Sequence, residues 1–543
     1  MLEWGTGGNE QKLISRRRFV QAATPPLIST SATILFASCG QTRIVTTEVP
    51  IKTTVIKEVP VERIVTRTEI KEIPVERIVV KPVVIEKVVT KVVTKIVEKT
   101  IEAAPKRPAA VIRLAHDHTS GVRGRHMQWS LNQFAKTHPH IAVKFEPKNY
   151  LFRDSFGIQL AGGSQAEVAL LDGGFFHHWV DKGAFVQIND HLAKKPTYNA
   201  QDYCMWPDQC TINFQNSFPI PFNEGLKGPQ FGLPYQAQLN GVYYNYTLFE
   251  SAGIPQPSPG NWGLEMEFLD ALRRLTNRET NQYGLQSSGD MWRYWAGWGR
   301  ALAYDEDLLY YDETASRMTI FDEGAEKAHD FVIDAIWKER VSNKLSDAKN
   351  LSGEFGDPFS AGKLGVASAG FAGMFLERIA GRFDWGFGLQ PEGPRGEAPV
   401  HTSQQPHLIT NAAEEHGTVD ETIDMMVFFA GPEVQEQATI HRGFIPVNKK
   451  ALSSTTMADA PPHSHADIAR ILTTKNNHHH WQSAHPAWWE WFEAWRSESD
   501  RSFLGEITPE EGREALTDAS NQLLELQHDA WFAYKHWANT LSS

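Results

Sequence analysis

From residue 111 onward the apolar positions change period in a regular order. Val111-Ile112-Arg113-Leu114-Ala115 predicts a short strand, and Met127, Leu131, Phe134 and Ala135 fall on one face of a helix predicted over 125–137. Ile141-Ala142-Val143-Lys144-Phe145 predicts a second strand and Val168-Ala169-Leu170-Leu171-Asp172 a third. Strand, helix, strand, helix, strand is the opening of a mostly parallel sheet, whose ligand crevice lies beyond the strand C-termini. His116 and Asp172 stand at two of those ends.

Upstream the pattern is of another kind. Residues 41–105 hold no glycine and consist mostly of Val, Ile, Lys, Arg, Glu and Thr. Glu58–Val65 recurs with Ile for Val as Glu72–Val79, and Lys87–Thr90 recurs at once as Lys91–Thr94. Such repeats lack the aromatic residues and the variety of size that close-pack a core. Pro50, Pro60, Pro74 and Pro82 break any long helix or central strand. Ile85, Val88, Val89, Val92, Val93 and Ile96 recur at helical spacing and allow a short helical association, against which their β-branching counts. A stalk is the simpler reading, with a reach of about 200 Å at ~3.3 Å per residue.

The first forty residues read as an address. Arg16-Arg17-Arg18-Phe19-Val20 before an apolar run is similar to a twin-arginine export signal. Pro25-Pro26 and several Ser and Thr make that run too broken for a spanning helix. Phe36-Ala37-Ser38-Cys39 resembles a lipobox, in which Cys39 is acylated and becomes the N-terminus. These readings divide the chain into a signal peptide (1–38), a lipid-anchored spacer (39–105) and a folded remainder. The expected location is outside the cytoplasm, on the outer face of the cytoplasmic membrane, with the lipid anchor as the membrane partner.

Charge sharpens the picture. The 543 residues carry a formal net charge of −12, yet leader and spacer are basic, which leaves the folded part near −17. So acidic a surface excludes nucleic acid as a partner. Aromatic residues make up 11% of the chain, including 17 Trp and 29 Phe, and need a core or a ligand to cover them.

Several segments in order resemble the extracellular solute-binding proteins of the maltose-binding type. They are Ala166–Asp172, Asp181–Ile188, and Gln230–Pro234 followed by Val242–Asn245, Leu248–Ile254 and Trp262. Further on come Phe359–Val366, Phe383–Pro391, Ala430–Gln435 with Gly443–Val447, and Ile507–Glu511. The resemblance runs from about residue 110 to about residue 528. It implies an α/β, two-lobed periplasmic-binding-protein fold, each lobe a mixed, mostly parallel sheet flanked by helices, with the ligand cleft at the hinge. Lobe I is expected from 106–236 plus 389–440 and lobe II from 242–387 plus 443–543. It further implies a monomer that delivers a small-molecule solute to the permease subunits of an ABC importer, without cofactor or catalysis. Two features depart from the family. Gly370–Met374 replaces its usual tryptophan segment, and the histidine-rich run 463–485 is foreign to it.

A sugar has apolar C–H faces and a rim of hydroxyls, so its site needs aromatic plates with carboxylates and amides. Candidate ligand contacts are His116, Asp172, Tyr235, Trp295, Phe371, Gln404, Trp488 and Trp489, of which Phe371 and the tryptophan pair match family positions that face the ligand. Trp292, Trp295 and Trp298 recur at helical spacing, which equally suits core packing.

Other chemistries find little support. The chain has no HExxH and no GxSxG, and Gly356–Leu364 has the wrong spacing for a phosphate loop, with Leu364 where Ser or Thr would hold magnesium. The rival reading is a zinc-type metal-binding lipoprotein using His463, His465, His478, His479, His480 and His485, which Pro461-Pro462 and Asn476-Asn477 mark as a loop. No resident metal is expected on the main reading. Cys204 and Cys210 flank a Pro-Asp turn signal, and with Cys39 acylated a disulfide between them is expected in an oxidising compartment.

Overall fold

The computed structural model describes residues 110–149, 153–171, 173–204, 210–212, 214–215, 218–219, 228–258, 260–287, 312, 314–319, 321, 326–369, 373–388, 390–393, 400–441, 443–458, 478–480 and 485–541. The expected leader, Cys39 and the spacer lie outside them. The chain divides into two units, Met1–Lys106 and Arg107–Ser543, and all that follows concerns the second. Among the described residues no helix is long and apolar enough to cross a membrane.

The predicted order of elements is the observed one. β1 (Ala110–His116) leads to α1 (Gly121–Thr137), β2 (Ile141–Pro147), α2 (Arg153–Ala161), β3 (Val168–Leu170) and α3 (Gly173–Val180). β1 pairs in parallel with both β2 and β3. All three residues of β3 are buried, as in an interior strand covered on both faces. α1 starts four residues earlier than predicted and buries Val122, His126, Met127, Ser130 and Phe134. Predicted to face the core, Ala135 is exposed. His126 and Ser130 take the inner face instead, with Ser130 Oγ donating to the His126 carbonyl at 2.9 Å.

After the two short strands β4 (Phe214–Gln215) and β5 (Phe218–Pro219) comes the element that organises the molecule, β6 (Gly232–Asn245). It is followed by α4 (Tyr246–Ser251), α5 (Leu269–Leu275), β7 (Tyr283–Leu285), α6 (Glu326–Trp337), β8 (Leu364–Ala369), α7 (Gly373–Ile379), β9 (Trp385–Gly388) and β10 (Val400–Ile409). The first part of β6 runs antiparallel to β10, whose other edge holds β3. From Gly241 onward β6 is paired instead with β8 and β9. One strand thus belongs to two sheets, the first carrying β2-β1-β3-β10 and the second β8-β7 with β9. This is the two-lobed arrangement, with β6 as a crossing strand.

The chain closes with α8 (Val419–Ala430), α9 (Pro432–His441), β11 (His478–His480), α10 (Trp488–Phe503) and α11 (Pro509–Thr540). The 32-residue α11, about 48 Å long at 1.5 Å per residue, opens with Pro509 and a capping box between Thr508 and Glu511. Gly512 lets it approach α10 closely, because a Cβ there would meet Ser502 Oγ at 1.8 Å. The helix pair touches both lobes. Tyr534 Oη lies 2.6 Å from His177 Nδ1 on α3, while Trp337 Nε1 on α6 donates to the Phe503 carbonyl at 3.2 Å.

The expected disulfide is not formed. Cys204 and Cys210 are both buried, and no bond joins one to the other. Each is held by a different neighbour: the Cys204 amide donates to the Val447 carbonyl at 2.8 Å, and the Phe231 amide donates to the Cys210 carbonyl at 2.8 Å. Burial, only partly countered by Lys449, pushes the Cys204 thiol up to about 11.

Candidate functional site

The described part of the hinge is built from β6, β10 and the return segment 443–447. Ala237 N donates to the Ile445 carbonyl at 3.0 Å, so the return segment lies along the free edge of β6. Gln435, fully buried on α9, ties β6 to the return segment. Its Nε2 donates to the Tyr235 carbonyl at 2.8 Å and its Oε1 accepts the Val447 amide at 2.9 Å. Side by side on the crossing strands, Gln236 donates from Nε2 to Gln405 Oε1. The ladder shifts register between Gln405 and Pro406, because proline has no N–H to contribute.

Next to this hinge, at the C-terminal end of β1, lies a buried cluster of imidazoles. His116 closes the strand, and its Nδ1 accepts the His118 amide at 3.0 Å. Asp117 Oδ1 is 3.4 Å from His116 Nδ1 and 3.8 Å from His118 Nε2. Tyr235 of β6 packs its ring 5.2 Å from His116 and 4.2 Å from His407 of β10, and Phe444 closes the other side at 4.6 Å from Tyr235. The loop is pressed onto α1, since a Cβ on Gly124 would stand 2.8 Å from the Thr119 carbonyl carbon.

Burial governs the electrostatics here. It holds His116 below its ordinary value against the opposing pull of Asp117. His118 and His407 are held well below, by burial first and then by the nearness of His116, to which the Arg123 guanidinium adds at His118. Burial alone would raise Asp117, but the neighbouring His116 and the charge of the Arg123 guanidinium leave it lowered. Burial pushes the Tyr235 phenol far up. Burial thus disfavours charge on the imidazoles and the phenol, and the charged groups acting on them are the Asp117 carboxylate and the Arg123 guanidinium.

The structure brings together two predicted ligand contacts, His116 and Tyr235, but as buried partners of each other. Trp488 is also fully buried, stacked 4.8 Å from Trp491 and 5.8 Å from Phe492, so it is core rather than a plate facing an open cleft. Trp489 is half-buried against Phe492. Gln404 sits in β10 opposite Ala237 of the crossing strand. Asp172, Trp295 and Phe371 lie outside the described residues. The cavity beside Trp488, lined also by His485, Trp491 and Leu524, measures about 10 Å³ and is too small for a sugar.

Of the histidine-rich run, the described residues are His478–His480 and His485. His478–His480 form β11, parallel to β10 at Val400–Thr402, and His485 is buried in stacking contact with Trp531 at 5.0 Å. His463 and His465 lie outside the described residues. Residues that sequence reasoning missed are Asp117, His118 and His407. Two histidines flanking an aspartate directly after a predicted strand were the available signal for the first two. His407 carries none of its own.

Comparison with known proteins agrees with this architecture. The bacterial extracellular solute-binding protein family matches residues 125–436. A protein of Brucella abortus (strain 2308) named as a binding protein is 23% identical over 355 residues, covering 64% of this chain and 78% of its own length. Among solved structures, an ABC substrate-binding protein of Listeria monocytogenes in complex with cycloalternan superposes with a TM-score of 0.64 at 15% identity, covering 77% of this chain and 99% of that one. UgpB of Mycobacterium tuberculosis in complex with glycerophosphocholine gives 0.59 at 18% identity, covering 78% and 99%. At such identities the likeness is one of fold.

Proposed function

The chain belongs to the bacterial extracellular solute-binding proteins, and on that premise we propose that it is the substrate-binding component of an ABC importer, capturing a carbohydrate or related neutral solute by closure of its two lobes. The observation that carries this reading is β6. A single strand that pairs with β10 in its first part and with β8 and β9 in its second couples two sheets through a short crossing, and a rotation there opens or closes the space between them. The carbohydrate assignment is supported by the abundance of aromatic residues, by the acidic surface, and by relatives whose solved complexes hold sugars. Cys39 as a lipidated N-terminus and 39–105 as a stalk complete the proposal, with the permease as the protein partner.

A thermal-shift screen of the chain over mono- and oligosaccharides and polyols tests it. A cognate ligand at 100 times its Kd adds ~2.7 kcal/mol of stability. The expected result is a rise in Tm for one chemical group of sugars, with the solute recovered unchanged after hours. Product formation would overturn the assignment as a binding protein, and a response confined to phosphorylated or cationic solutes would overturn the neutral-solute class. Replacing Cys39 by Ala is expected to release the protein from membranes without changing solute affinity.

A further inference from the structure

We propose that the loop closing β1 is a site for one divalent transition-metal ion of the zinc class, ligated by His116, Asp117 and His118, with His407 and Tyr235 packed around it.

The spacing of the donors fits. One ligating atom from each of the three side chains can be chosen so that all lie within 4.8 Å of one another. The carboxylate oxygen stands between the two imidazoles, at 3.4 and 3.8 Å. Metal–nitrogen and metal–oxygen bonds of ~2.1 Å in a tetrahedron separate the ligand atoms by about 3.4 Å, so small side-chain rotations complete the geometry. Two neutral imidazoles and a carboxylate are a donor set that suits zinc, cobalt or nickel better than the hard, oxygen-seeking magnesium or calcium.

Burial gives the second and independent observation. His116 and His118 are at most 1% exposed, and neither ring nitrogen of His118 has a hydrogen-bond partner in the described structure. His116 Nε2, His407 Nε2 and Tyr235 Oη are in the same position. Buried polar atoms are almost always paired, so an imidazole with neither nitrogen bonded, set among further unbonded polar atoms, calls for a partner at His118. An ion takes up the His118 imidazole directly and polarises the groups beside it. The His118 amide, by donating to His116 Nδ1, places that ring's proton on Nε2 and leaves the lone pair on the nitrogen nearest Asp117. On ligation the ion takes this lone pair over from the amide. The packing of the loop on Gly124 keeps the three donors in place beforehand.

The test uses the full chain without an affinity histidine tag, stripped with a chelator and dialysed against Zn²⁺, with no sugar present. Metal content by mass spectrometry and competition with a chromophoric chelator are the readouts. One tightly held zinc per chain is expected. His118→Ala and His116→Ala are each expected to weaken it by more than the ~10–100-fold typical of residues that merely support a ligand. Replacing His478, His479 and His480 together by Ala is expected to leave it in place. Because a histidine variant can misfold, Co²⁺ is added to the unmutated chain as well, where intense visible d–d absorption reports tetrahedral nitrogen and oxygen ligands. Zinc lost to the competing chelator, zinc held equally well by both well-folded histidine variants, or Co²⁺ with only the weak spectrum of an octahedral ion would each overturn the proposal and leave an ordered water as the partner of these atoms.

Discussion

Arg125 on α1 forms an ion pair with Glu377 on α7, joining the helix that follows the first strand of one lobe to the helix between β8 and β9 of the other. Both side chains remain more than half exposed, at 59% and 57%, so water and salt screen the pair. It is a contact that only a particular separation of the lobes allows. Arg125→Ala should therefore weaken solute binding slightly, by no more than about fivefold for an exposed pair worth under ~1 kcal/mol. Isothermal titration at low and high salt checks this. The difference between variant and parent should vanish as salt rises, and a difference that persists would show that Arg125 acts by another route.

Gln435 is the strongest single tie at the hinge. Gln435→Ala would leave the Val447 amide and the Tyr235 carbonyl without their side-chain partner in a buried place. An unsatisfied buried group costs ~1–3 kcal/mol, so a loss of about 2–4 kcal/mol is expected in urea melts. Stability within 0.5 kcal/mol of the parent (about the spread of a neutral surface change) would mean that the return segment is held by its other contacts.

Both thiols of the 204–210 segment should be slow to react in the folded protein. Burial holds the Cys204 thiol at about 11, so little thiolate exists at pH 8. Iodoacetamide should modify Cys204 and Cys210 only after unfolding, as read by peptide mass spectrometry. A disulfide-linked peptide from the native protein would contradict the structure.

His485 links acidity to stability. Burial holds it at about 3 in the folded state, against 6.5 for a free imidazole. The unfolded chain binds that proton first, so the contribution is complete above pH 6.5 and is lost as pH falls from 6.5 towards 3. The slope is ~1.4 kcal/mol per pH unit for each such group. Denaturant melts between pH 7 and pH 4 should show this loss, and His485→Gln should shallow the slope by about one proton. An unchanged slope would show that the imidazole is already charged or already accessible.

Local pattern was enough for a good part of the fold. The strands at 110–116, 141–147 and 168–170 and the intervening helix were legible because a strand exposes its period within a few residues and a helix within two turns. The resembling segments Gln230–Pro234 and Val242–Asn245 fall at the two ends of what the structure shows to be the crossing strand. Ile507–Glu511, one of the segments that resemble the family, stands at the start of the final helix, where the structure adds a capping box between residues three apart.

Burial and long-range pairing were decided only by the folded chain. Trp488 and Trp489 are neighbours in sequence, yet one is sealed between helices and the other half-covered, since that choice depends on where α10 and α11 lie. Histidines 478–480 look like part of a solvated loop until β10, far back in the chain, offers them a strand edge. His116 and His407 come within 5.3 Å of each other by reaching across β3, which lies between their strands in the sheet, and no local period carries that information. Sequence determined the periodic elements and their order, which short-range sterics and hydrogen bonding dictate. The tertiary structure determined which polar groups would share a water-free space, because desolvation belongs to the assembled core and to no segment alone.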